Sequence, residues 1–146
     1  MATLERLPRH PNWRLADAVL SRVIPGATGY DPDRIPGLSP GGWEDFDIDD
    51  RDPAQVVNAL LDYCEPLAVG TLIVVTFESY RGDVGPFFVS AEGLADFASS
   101  YSTVFDDVLV SGDVVVVSPS VGRVVVVHHN GLIATLSGVR CTDLAC

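Results

Sequence analysis

The chain has 146 residues, of which 47% are hydrophobic and 20% charged. That balance excludes disorder as the main state, and the length favours a single domain spanning residues 1–146. Twenty acidic residues against nine basic ones leave a formal charge of −11, so nucleic acid is not expected as a partner, because phosphate binding needs a basic face.

All nine bases are arginine. Without lysine there is no P-loop, Schiff-base or Ser–Lys chemistry. The bias suits a GC-rich genome or a salt-adapted surface, so acidity alone does not require a partner. The N-terminal residues carry no apolar export-signal region. The aliphatic runs Val114–Val117 and Val124–Val127 are far below the roughly 18 residues of a membrane span. An odd cysteine count (Cys64, Cys141 and Cys146) without an export signal points to reduced thiols. The expected location is cytoplasmic, with no membrane contact.

In chain order, Trp13 to Ile24 reads as a helix, with Ala16, Val19, Leu20, Val23 and Ile24 on one stripe. Asn12 is placed as its N-cap, and Pro25-Gly26 ends it. Residues 25–52 read as a loop, rich in Pro and Gly and then acidic; a loop of that length is functional or mobile. Asp52, Pro53 and Gln55 announce a second helix through a capping box and a proline at the first helical position. Val56, Val57, Leu60, Leu61 and Cys64 form its buried stripe, and Pro66 stops it.

From residue 71 the period changes. Thr71 to Phe77 predicts a buried strand, Arg81-Gly82-Asp83 a turn, and Pro86 to Val89 a short strand at an edge or strand start, because Pro donates no hydrogen bond. Ser90 to Tyr101 predicts a third helix with Leu94, Phe97, Ala98 and Tyr101 inward. Val108 to Val110 reads as a strand fragment. Asp113 to Ser118 and Arg123 to His129 are β-branched strands, and Asn130-Gly131 predicts a hairpin turn back into Leu132 to Leu136. The expected class is α+β: an antiparallel meander of about five strands carrying two or three helices. Unbroken valine runs signal burial on both faces of the sheet. Helices supply part of that cover, and a homodimer through the valine-rich sheet is one way to supply the rest.

Several motifs fail on physical grounds. Gly37-Leu38-Ser39-Pro40-Gly41 matches a nucleophile elbow in letters, but Pro40 has no N–H for an oxyanion hole. Asp45, Asp47 and Asp49 resemble the start of a calcium loop, yet Asp50 and Val56 stand where an EF-hand needs Gly and Glu. His128 and His129 are neighbours at a strand end, so alternation sends them to opposite faces and no metal is expected. No cofactor cradle is recognisable.

The acidic run remains. Trp43, Glu44, Asp45, Asp47, Asp49 and Asp50 combine an aromatic anchor with carboxylates, which suits capture of a basic protein surface. Part of the run also serves the positive end of the second helix. The stretch Gly112-Asp113 to Ser118, then Arg123 to Val127, His128-His129-Asn130-Gly131, resembles the strand–turn–strand end of bacterial immunity proteins that accompany contact-dependent and other polymorphic toxins. The resemblance implies a cytosolic, acidic α+β protein that works by occluding a toxin; it transfers no catalytic or contact residue. Two functions are therefore weighed. One is a non-catalytic, immunity-type inhibitor of a cationic toxin, acting through the acidic run. The alternative is a small-ligand domain or enzyme with a cleft near Asp113, Arg123, His128 and His129.

Overall fold

A computed structural model describes residues 11–38, 43–46, 52–67, 69–80, 84–105, 109 and 112–140. Its described elements are helices α1 (Asn12–Val23), α2 (Pro53–Cys64) and α3 (Leu94–Phe105), and strands β1 (Glu44–Asp45), β2 (Thr71–Val75), β3 (Phe87–Ser90), β4 (Val114–Ser118), β5 (Arg123–His128) and β6 (Leu132–Ser137). The strands form one open antiparallel sheet in the order β1-β6-β5-β4-β2-β3. The class is α+β, and the sheet has six strands rather than about five.

The valine runs explain the layering. Side chains on a strand alternate between faces. Val114, Val116, Val125 and Val127 join Leu72, Val74 and Ile133 beneath α2 and α3, where Val56, Leu60, Cys64, Leu94, Ala98 and Tyr101 meet them. Val115, Val117, Val124 and Val126 join Ile73 and Val75 beneath α1, against Trp13, Ala16, Val19, Leu20 and Val23. All eight valines are at most 2% exposed. The chain thus covers both sides of its own central strands at these eight valines.

Local signals explain most boundaries. The Asp52 backbone N–H donates to Gln55 Oε1 at 3.0 Å, as a capping box requires. Gly131 holds the β5–β6 turn at φ +85°, and β3 lies at the sheet edge directly after Pro86, as a residue without an N–H demands. Three boundaries differ from expectation. Pro11 occupies the N-cap of α1 and Asn12 the first helical position, because the proline φ is already near-helical. The expected strand to Phe77 stops at Val75: Thr76 N–H donates to Ser79 Oγ at 2.9 Å, the chain winds into a 3-10 turn over Phe77–Tyr80, and Phe77 is 63% exposed. The third helix opens as a 3-10 turn over Ala91–Gly93, where Ser90 Oγ accepts from Gly93 N–H. It then runs to Phe105, whose ring meets Tyr101 and Phe87.

A tie between layers positions the C-terminal end of the sheet. Beyond β6, Val139 N–H donates to Val23 O at 2.7 Å and Gly138 N–H to Gly122 O at 2.6 Å, which fastens the sheet to the end of α1. The turn at Arg81-Gly82-Asp83, the fragment at Val108 and Val110, Ser39 to Gly41, and Cys141 and Cys146 lie outside the described residues.

Candidate functional site

The β5–β6 turn builds one corner of the sheet. β4 pairs with β5 so that Val114 faces Val127, which carries Asp113 to the level of His128. His128 faces Leu132 on β6, and Leu132 faces Asp45 on β1. Directly paired residues share a face, so Asp45, Leu132 and His128 lie in one row on the α1 side. Trp43, two residues from Asp45, has the same facing, and its ring meets the His128 ring edge-on at 5.8 Å. Phe46 N–H donates to Gly131 O at 2.8 Å, pinning the acidic segment to the turn. The loop expected over residues 25–52 therefore contains an edge strand, and the acidic segment and the histidine pair occupy the same corner.

The histidines themselves correct the sequence argument. His129 is not on the opposite face from His128. β5 ends at His128, so the alternation rule stops there, and the two rings stack with centroids 4.3 Å apart and planes at 24°. Asp113 organises the pair. Its Oδ1 accepts from the His129 backbone N–H at 2.8 Å and lies 2.9 Å from His129 Nδ1. His128 Nδ1 accepts from the Asn130 backbone N–H at 3.1 Å. The His129 side chain is 57% exposed and that of Asp113 34%, so the cluster is open to solvent. One ligand atom from each of Asp113, His128 and His129 lies within 4.8 Å of the others.

Of the residues expected to form a ligand site, Asp113, His128 and His129 come together and Arg123 does not. Arg123 begins β5, paired with Ser118 and Ser137, roughly 17 Å from His128 along an extended strand. Of the expected partner-binding residues, Trp43 is half-buried while Glu44 and Asp45 are exposed. Asp47, Asp49 and Asp50 lie outside the described residues.

A second concavity was not anticipated from sequence. A cavity of about 390 Å³ opens between α1 and the 28–34 segment, lined by Trp13, Asp17, Tyr30, Asp31, Arg34 and Tyr80 among others. The i, i+4 spacing of Trp13 and Asp17 on one helix face was its only sequence signal. Trp13 packs on Tyr30 at 5.9 Å and on Tyr80 at 5.2 Å. The Tyr30 hydroxyl donates to Ala16 O at 2.7 Å. Burial, and then the nearby Asp17 and Tyr80, push the Tyr30 phenol well above its ordinary pKa, so it stays a neutral donor. That cavity lies under α1 and shares no residue with the histidine corner.

No known protein family, characterised protein or solved structure matches the chain. No helix among the described residues is long and apolar enough to cross a membrane.

Proposed function

We propose that the chain is a non-catalytic cytoplasmic binding protein that fills a cationic site on a partner protein, in the manner of the immunity proteins its C-terminal strands resemble. One observation carries this reading. Exposed Glu44 and Asp45 form the outermost strand of the sheet, paired on one side only, with Trp43 beside them on the histidine corner. An aromatic anchor with Asp45 on its own face of the edge strand and Glu44 on the other suits a basic cleft, built to hold phosphate, that closes over that edge. A net charge of −11 steers such a partner and raises association rates most at low salt. The candidate partner is a basic protein encoded beside this chain. The test is stopped-flow association of that protein, at low and physiological salt, with the wild type and with a Glu44→Lys, Asp45→Lys double variant. Slowing by about tenfold or more at low salt is expected. An unchanged rate, or no complex at all, overturns the reading.

A second reading has its own observation, the 2.9 Å contact between Asp113 and His129. A carboxylate that orients an imidazole is the supporting half of an acid–base pair, so a small-ligand or catalytic site at this corner is the alternative. Turnover of ester or phosphoester substrates by the purified chain, abolished in His129→Gln, would establish it over the binding role.

A further inference from the structure

We propose that Asp113, His128 and His129 form a site for a divalent transition metal of the zinc class. The inference is independent of partner capture and concerns the isolated chain. Two imidazoles and a carboxylate are the intermediate donor set that suits Zn²⁺, Co²⁺ and Ni²⁺ rather than Mg²⁺ or Ca²⁺. Two ligands on one zinc ion can be at most about 4.2 Å apart, twice a Zn–N bond. One ligand atom from each residue already lies within 4.8 Å of the others, and tetrahedral zinc places its ligands about 3.4 Å apart, so closing around an ion takes side-chain shifts of roughly an ångström.

The existing contacts hold the three donors together. His129 Nδ1 and Asp113 Oδ1 lie 2.9 Å apart, close to the spacing of two ligands on one ion, and the metal would take the place of the proton that now links them. Asp113 Oδ1 also accepts from the His129 backbone N–H at 2.8 Å, which holds the carboxylate beside that ring. The ring stack at 4.3 Å holds His128 beside His129, the Trp43 ring backs it from the sheet edge, and coordination through His128 Nδ1 would exchange its hydrogen bond from Asn130 N–H for the metal. The backbone supplies rigidity, since Asp113 directly precedes β4, His128 ends β5, and those strands are paired throughout. Three protein ligands on an exposed corner leave coordination positions for water or for a fourth donor.

The test uses untagged full-length protein titrated with Zn²⁺ and with Co²⁺. One metal per chain is expected, reversible with chelator, with backbone amide shifts in NMR spectra concentrated at Asp113, His129 and Asn130. His129→Gln and Asp113→Asn each weaken binding by about tenfold or more. The His129 side chain is largely exposed, so that variant keeps the fold, which its amide spectrum verifies. A His10→Gln, Cys141→Ser, Cys146→Ser variant removes competing donors elsewhere and retains binding. Unsaturable binding, full affinity in His129→Gln, or amide shifts located away from this turn would each overturn the assignment.

Discussion

Replacing Val125 or Val126 by threonine tests whether both faces of the sheet are dry. The two residues are neighbours on β5, each 0% exposed. Val125 points beneath α2 and α3, Val126 beneath α1. Threonine keeps the β-branched shape but exchanges a methyl group for a hydroxyl. Losing the methyl removes about 0.8 kcal/mol of burial, and an unpartnered buried hydroxyl costs about 1–3 kcal/mol. β5 is hydrogen-bonded to β4 on one side and β6 on the other, so its backbone is already committed. Each substitution should therefore destabilise the protein by about 2–4 kcal/mol, or lower Tm by roughly 4–16 °C for a domain of this size. Urea unfolding followed by far-UV circular dichroism, with a common slope, measures it. A half-wetted sheet predicts a different result: one threonine costly and its neighbour within about 0.5 kcal/mol of wild type, as at a surface position. That asymmetry would refute the three-layer packing.

Three further outcomes are expected. Gly122→Ala should cost at least about 1–2 kcal/mol, the penalty for a left-handed alanine, because Gly122 has φ +74° and an added Cβ would stand 3.0 Å from the Val139 and Arg140 backbone; chemical denaturation reads the loss. Tyr101→Phe deprives the fully buried Thr76 hydroxyl of a partner at 2.8 Å and should cost about 1–3 kcal/mol; adding Thr76→Val should recover part of it, so an additive double-mutant cycle would contradict the pairing. Burial raises the Cys64 thiol from 9.0 to about 12, so folding favours the neutral form. The thiol is neutral in both states below pH 9, and stability falls as pH rises from 9 towards 12, by up to about 1.4 kcal/mol per pH unit. Cys64→Ala should flatten that slope in the pH dependence of urea unfolding, and an unchanged slope would count against a buried thiol.

The histidine corner shows how a local rule can be right and its extension wrong. Alternation holds along β5 from Val124 to Val127, each valine on its expected face. It fails at His129 because the chain has left the strand there and entered the Asn130-Gly131 turn. What holds His129 against His128 is Asp113, sixteen positions earlier, a contact that exists only once β4 and β5 are paired.

The sequence alone determined what depends on neighbours in the chain. The α2 capping box, the edge position of the strand after Pro86, the β5–β6 turn at Asn130-Gly131 and the double-sided burial of the valines all follow from dihedral preferences, capping groups and side-chain period. Tertiary structure decided what depends on distant partners. It chose α1 for one face of the sheet and α2 with α3 for the other, and it set β4 against β2 across most of the second half of the chain. It also drew two acidic residues out of a Pro/Gly-rich loop onto the edge of β6. A two-residue strand has no period to read; only the exposed hydrogen-bonding edge of β6 makes it one.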